Sequence, residues 1–312
     1  MSLHCLAQLT IGVPDPDPVA DYYTEFGLQP DSAGGFATVD GGRQLVVEPA
    51  AYRQLIEMVI GVDEHEDLEI ASSRLAAAGH RSELDGDRLI VFESRTAVRV
   101  VLEVFPRTSH LEVSTSPGLA YNRPGQVERP GTRSPALTRH GPVRPRRLGH
   151  VVVTTPELGV TASFFQKLIG FKVSDYIGEV GVFLRCSTDH HNLLVLSAPV
   201  SYLHHTAWQV DDVDEVGRGA TAMLEGRPER HVWGLGRHHA GSNFFWYLKD
   251  PAGNYSEYYA DLDDIPDDAP WTPESHPGRF GLYHWGPAPP ASFLQPDDLA
   301  ELSLRRSAAA GR

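Results

Sequence analysis

Six of the chain's histidines stand in adjacent pairs, at 190 and 191, 204 and 205, and 238 and 239, in a sequence with 15 histidines but only 3 methionines. Imidazole both titrates near neutral pH and ligates metals, so such clustering points to proton transfer, metal binding or both. The densest stretch is GLGRHHAGSNFFWYLKDPAGNYSEYY, residues 234–259, which gathers histidine and tyrosine acid–base candidates and one glutamate into a single predicted hairpin. Phe244 to Leu248 is a strand-favouring aromatic run, and Asp250-Pro251-Ala252-Gly253-Asn254 is a turn cluster that reverses it. On the returning strand, alternation places Tyr255, Glu257 and Tyr259 on one face and Ser256 and Tyr258 on the other. A carboxylate facing a core is costly unless something positive meets it. Taken alone, Glu257 reads as solvent-facing or paired with Arg237.

The elements that must position these groups recur. LHCLAQLTIGV (3–13) reads as a strand stopped by Pro14, VADYYTEFGL as a helix closed by Gly27, and GFATVDGG with RQLVVEP as a hairpin. LIEMVIGVD, a helix from about Glu66 to Ala78, DRLIVFES and AVRVVLEVFP repeat that order. The C-terminal half repeats it twice more, with LGHVVVTTP, VTASFFQKLIG, KVSDYIG, VGVFLRCS and NLLVLSAP, then HHTAWQVDD, a helix from about Val213 to Leu224, and the hairpin above. Pro14 superposes on Pro156 and Tyr22 on Phe164, while Gly27 meets Gly170 one residue out. The expected class is therefore α+β, with four strand–helix–three-strand modules in two pseudo-symmetric halves. Residues 1–106 form the first half and 147–262 the second. Between them, 107–146 is rich in Pro, Arg, Ser and Gly and reads as a linker or extended arm. Residues 263–312 form a tail in which WGPAPPASF is a candidate lid and RRSAAAGR reads as frayed.

Pseudo-symmetry brings chemistry together. His150 and His205 occupy the same place in the opening strands of paired modules, so both imidazoles approach one point, and Glu257 arrives from the last strand. Two histidines and a carboxylate with open positions left over are the facial arrangement that suits non-haem Fe(II), and Mn(II) also fits. In isolation His150 reads as a buried, backbone-bonded histidine; the three positions together favour ligation. The same superposition lays Gln8 under His150, Glu57 under His205 and Glu103 under Glu257. The N-terminal half is thus expected to be a degenerate scaffold, with a second, hard cation at those three residues as the alternative.

Bulk properties exclude several classes. A net charge of -14 disfavours nucleic acid and anionic membranes as partners. No apolar stretch approaches a membrane span and no signal-like N-terminus is evident, so cytoplasm is the expected location. Two cysteines, Cys5 and Cys186, can build neither a disulfide framework nor a cysteine zinc site.

The chain resembles the type I extradiol ring-cleaving dioxygenases, the catechol 2,3-dioxygenase-like branch of the vicinal-oxygen-chelate superfamily with its glyoxalase-like half-barrel domains. LGHVVV at His150, DHHNLLVL at His191, LHHTAWQVDD at His205, GLGRHHAGSNFFWYLKDPAGN at His238 and Tyr247, and SEYYAD at Glu257 carry the resemblance. It covers about residues 1–262, strongly from 147 onward and only architecturally before. It implies a metal held by His150, His205 and Glu257. It also implies an acid–base His191 beside the dioxygen site, and His238 and Tyr247 as partners of the substrate oxygens. His239, Trp246 and Asn243 are assigned to substrate contact, although Trp246 also reads as core; His190 and His204 read as supporting residues. The implied reaction is insertion of both atoms of O2 into a catechol chelated to Fe(II). The arm at 107–146 is long enough to wrap a neighbouring subunit, so a homo-oligomer is expected. Rival readings keep the fold and metal for glyoxalase-like or isomerase chemistry, or make the chain a non-catalytic small-molecule binder.

Overall fold

The structure, a computed structural model, describes residues 2–109 and 121–310. Part of the predicted linker, residues 110–120, and the last two residues of the tail lie outside the described residues. Four modules of one strand, one helix and three strands build two sheets. The first two modules are β1 (Leu3–Val13), α1 (Pro16–Glu25), β2 (Gln29–Pro30), β3 (Gly35–Thr38) and β4 (Gly42–Pro49), then β5 (Gln54–Val62), α2 (His65–Ala77), β6 (Ser82–Asp85), β7 (Arg88–Glu93) and β8 (Val98–Val104). Their sheet runs β2-β3-β4-β1-β5-β8-β7-β6. The third module is β9 (Arg147–Thr155), α3 (Leu158–Ser163), β10 (Lys172–Ile177), β11 (Gly181–Arg185) and β12 (Leu193–Ser197). The fourth is β13 (Leu203–Gln209), α4 (Val213–Leu224), β14 (His231–Arg237), β15 (Phe244–Lys249) and β16 (Tyr255–Ala260). This sheet runs β14-β15-β16-β13-β9-β12-β11-β10, edged by the short β17 (Glu274–Ser275). In both sheets the opening strands of paired modules lie antiparallel at the centre, each flanked by a parallel neighbour.

The one-residue offset between Gly27 and Gly170 has a local cause. After α3 the helix continues as a π-helical segment, Phe164–Ile169, which takes up an extra residue without changing the exit. Gly27 and Gly170 both leave their helices in the left-handed region, at φ 100° and 101°.

Packing between the halves fixes the back of the site. On β16, Ser256 and Tyr258 face a helical layer that includes α1: Phe26 stacks on Tyr258 with centroids 3.8 Å apart, and Tyr258 donates to the Phe26 carbonyl at 2.6 Å. Tyr22 hydrogen-bonds Ser256. A buried aromatic pair of this kind adds about 0.5–1.5 kcal/mol beyond its buried area. Tyr255, Glu257 and Tyr259 face the other way and are all buried.

Register corrects one sequence expectation. Ala207 pairs with both His150 and Glu257, whereas Val59 pairs with Gln8 and Val101. Val101, not Glu103, therefore stands where Glu257 stands. A two-residue slip keeps every side chain on its face, so alternation cannot detect it. Glu57 lies opposite Arg99, whose Nε is 2.6 Å from its carboxylate, and Arg88 reaches both Glu57 (3.8 Å) and Glu103 (3.1 Å). In the N-terminal half arginines supply the positive charge that these acids face.

Two connecting segments are more ordered than their composition suggests. The arm lies against both halves: Arg139 pairs with Asp212 at 2.6 Å, Val143 is buried, and the Pro145 and Arg146 carbonyls accept from Val39 and Asp40. As far as residue 310 the tail end is helical rather than frayed. Leu299–Ala310 is a helix, α6, preceded by a short α5 (Ala291–Leu294), as the strong helix propensity of its alanines allows. Leu302 packs with Val200 and Tyr202, and buried Arg53 grips Asp298 at 2.6 and 2.8 Å just before α6. Among the described residues no helix is long and apolar enough to cross a membrane.

Candidate active site

Three adjacent strands deliver three ligand-type side chains to one point. His150 on β9 and Glu257 on β16 flank Ala207 on β13, and His205 lies two residues before Ala207, on the same face. The turn that launches β16 is locked by Asp250, which accepts from the Ala252 and Asn254 N–H groups at 2.9 Å. The Asn192 side chain ties the Gly149 carbonyl to the loop carrying His190 and His191. Gly149 itself must lack a side chain, since a Cβ would lie 1.8 Å from the Tyr259 hydroxyl.

His150 Nε2 lies 3.1 Å and His205 Nε2 3.5 Å from Glu257 Oε2, with all three ligand atoms within 4.8 Å of one another. All three residues are buried, Glu257 completely. Among the described residues this is the group of His, Cys, Asp and Glu side chains near enough to share an ion. Burial alone would raise the Glu257 carboxyl, but the hydrogen bonds and charge of His150 and His238 outweigh it and hold it well below the usual carboxylate range. Burial and neighbouring His204 push His205 well below its ordinary value, against the pull of Glu257, so it stays neutral. His205 Nε2 is buried and has no hydrogen-bond partner. An ionised carboxylate, a neutral imidazole with an unused lone pair and a second imidazole suit a divalent cation of the iron or manganese kind.

His204 explains why that lone pair is free. Its Nε2 meets the Phe293 carbonyl at 2.7 Å, and a carbonyl only accepts, so Nε2 carries the proton. Burial depresses the His204 pKa to about 4, opposed by the Phe293 carbonyl, leaving the ring neutral with an accepting Nδ1. His205 Nδ1, 2.7 Å away, must then donate to it, which strips Nε2 of hydrogen. A backbone carbonyl in the tail thereby sets the tautomer of a candidate ligand two residues removed.

His150 and His205 form part of the wall of a cavity of about 500 Å³. His191, His238 and Tyr247 line it, together with apolar Val152, Ile177, Val180, Leu194, Leu196 and Phe293; among the described residues no Lys or Arg does. His191 lies with its ring 4.2 Å from that of His150, and burial, then His150, lowers its pKa well below the ordinary histidine value. His238 bonds the Leu282 carbonyl through Nδ1 and sits 2.9 Å from the Tyr247 hydroxyl through Nε2. The carbonyl accepts from Nδ1, which turns Nε2 toward both the Tyr247 hydroxyl and Glu257 Oε1, 3.7 Å away. Burial, then Glu257, raises the Tyr247 pKa well above 10, so the phenol keeps its proton.

Three expected substrate contacts fall elsewhere. His239 points to solvent and stacks on His284, because successive residues of an extended segment face opposite ways. Trp246 sits between Phe245 and Tyr247 on β15, so it faces away from the cavity, packs half-buried against the core on the other side of the sheet and donates to His231 Nδ1 at 3.1 Å. Asn243 is fully buried and donates to Glu257 Oε1 at 3.2 Å, supporting the carboxylate. Arg237 pairs with Asp261 rather than Glu257. Sequence reasoning missed Asp175, His276 and Phe293. A charged residue inside the strand KVSDYI was the one available signal for Asp175; nothing local marks the other two.

Residues 147–258 match the family model of the Glyoxalase/Bleomycin resistance protein/Dioxygenase superfamily. Metapyrocatechase 2 of Cupriavidus necator is 36% identical over 198 residues, 63% of this chain and 60% of that protein. The manganese-dependent 2,3-dihydroxybiphenyl 1,2-dioxygenase of Geobacillus genomosp. 3 is 30% identical over 156 residues, 46% of this chain and 50% of that protein. The chain thus spans between half and two thirds of the length of these relatives. In fold it is similar to a Mn(II)-bound glyoxalase from Novosphingobium aromaticivorans, with a TM-score of 0.73, 23% identity and 93% of each chain covered.

Proposed function

We propose that the chain is an extradiol ring-cleaving dioxygenase that uses Fe(II), with Mn(II) as the alternative metal, held by His150, His205 and Glu257. One observation carries the reading: the buried cluster adjoins a cavity whose wall also presents His191, His238 and Tyr247. A glyoxalase-like reaction would use the same fold and ligand set but leaves those three groups without a task. The extradiol names of the two relatives above point the same way.

When bound, the metal would supply the Lewis acidity that makes catechol hydroxyls acidic and the redox chemistry that couples them to dioxygen. The chain's residues do the rest. His191, neutral and shielded, takes and returns a proton at the oxygen-bearing side of the substrate. The Tyr247 hydroxyl and His238 hold a substrate oxygen and stabilise charge that builds there. The cavity walls and Phe293 of the tail exclude water and hold the ring close to the reacting group. Overall one O2 adds to one catechol with no further reductant. The carbon–carbon bond beside one hydroxyl breaks, and a hydroxymuconic-semialdehyde-type acid forms.

The cavity walls favour one kind of catechol. A cavity of about 500 Å³ with apolar lining and without arginine or lysine suits an uncharged catechol carrying an aryl or alkyl group. Metal-free protein loaded anaerobically with Fe(II) or Mn(II), then given oxygen and a catechol panel, tests the proposal. A yellow ring-cleavage chromophore is expected, strongest with aryl- or alkyl-substituted catechols. Stoichiometric metal without any chromophore, together with turnover of glutathione hemithioacetals, would replace it with the glyoxalase-like reading.

A further inference from the structure

The His190–His191 doublet is wired like His204–His205, but to a carboxylate. His190 Nδ1 lies 3.0 Å from His191 Nδ1, and His190 Nε2 lies 3.0 Å from Asp175 Oδ2. Asp175, on β10, is buried; its Oδ1 accepts from the Glu274 N–H at 2.7 Å and its Oδ2 also meets His276 Nε2 at 3.0 Å. His190 is fully buried, with the Phe183 and Trp271 rings each packed edge-on at 5.6 Å. Asp175 stays ionised: burial opposes this, but the bonds from His190, Glu274 and His276 hold its pKa below the ordinary value.

We propose that Asp175, acting through His190, is a positioning residue that fixes His191 in the tautomer presenting an unprotonated Nε2 to the cavity. An ionised carboxylate only accepts, so His190 Nε2 carries hydrogen. We take His190 with that single proton, so that its Nδ1 accepts and His191 Nδ1, 3.0 Å away, donates to it. His191 is left with a bare Nε2, ready to receive a proton. Glu274 and His276 belong to the tail, so the segment that folds over the cavity also completes this relay. The inference rests on the proposed acid–base role of His191, but the tautomer can be read without any turnover.

Asp175→Asn is the decisive variant. The Glu274 N–H requires an acceptor at the Oδ1 position, so the new amide oxygen stays there and its NH2 faces His190. His190 Nε2 must now accept and its Nδ1 donate, and His191 is driven to the opposite tautomer with hydrogen on Nε2. Nitrogen-15 spectra of histidine-labelled, metal-free protein, with His191 assigned by the loss of its signals in His191→Phe, should show Nδ1–H in the parent and Nε2–H in D175N. Loaded with metal, D175N should lose on the order of 100-fold in kcat, with KM within about threefold and metal content unchanged. His190→Phe fills the same space between Phe183 and Trp271 and carries the test if D175N fails to fold; it should show mixed His191 tautomers. Nε2–H on His191 in the parent, an unaltered nitrogen pattern in the variants, or a loss confined to KM would overturn the proposal. Should no catechol be cleaved by the parent protein, the nitrogen spectra still decide it.

Discussion

His204→Phe tests the link between the tail and the metal cluster most directly. The substitution keeps the ring's volume but removes both hydrogen bonds, the 2.7 Å contact with the Phe293 carbonyl and the 2.7 Å contact with His205. Two buried polar groups, the Phe293 C=O and the His205 Nδ1–H, are left without partners, at about 1–3 kcal/mol each. The metal-free variant should therefore be about 2–6 kcal/mol less stable, a melting temperature lower by roughly 5 °C or more. His205 also loses the acceptor that holds its proton on Nδ1, so both tautomers become accessible and only one can ligate. Loss of such a supporting partner lowers metal affinity by roughly 10–100-fold. Calorimetric titration of metal-free protein with Mn(II), and anaerobically with Fe(II), measures this, and differential scanning fluorimetry measures the stability. A Kd within about twofold of the parent would refute the tautomer argument, since that argument requires Nε2 to be free before the ion arrives.

Other consequences follow from the same geometry. His150→Ala should abolish stoichiometric metal binding by elemental analysis; a full equivalent retained in the variant would restore a cation site in the N-terminal half. Tyr247→Phe removes the hydroxyl 2.9 Å from His238 Nε2, and kcat should fall by roughly tenfold or more with metal content intact, as steady-state kinetics on the loaded protein would show. Burial raises the Asp250 carboxyl to about 6 from 3.8, against the hydrogen bonds from Asn254. Its contribution to stability is complete below the unfolded value and lost as pH rises through the folded one. Because Asn does not titrate, Asp250→Asn should gain about 3 kcal/mol relative to the parent between about pH 3.5 and pH 7, read by urea denaturation. Gly149→Ala places a Cβ 1.8 Å from the Tyr259 hydroxyl, and should cost about 1–3 kcal/mol by thermal unfolding while weakening metal binding through the adjacent His150.

The sequence by itself determined the modules and pointed to His150, His205 and Glu257 as one candidate cluster. Strand alternation, turn chemistry at Asp250–Asn254 and the glycine stops at Gly27 and Gly170 are local, and local patterns survive in one dimension. Glu257 was legible because its face follows from its neighbours, and His150 with His205 because a repeated module puts equivalent positions side by side. Tertiary structure decided what depends on register or on distant partners. Val101 rather than Glu103 aligns with Glu257 because a two-residue slip leaves the alternation unchanged. His204 acquires its tautomer from Phe293, His190 meets Asp175 from another element, and His276 reaches Asp175 from 101 residues away. A hydrogen bond has a direction only when both partners are in place, so which imidazole nitrogen is bare is fixed by the folded chain.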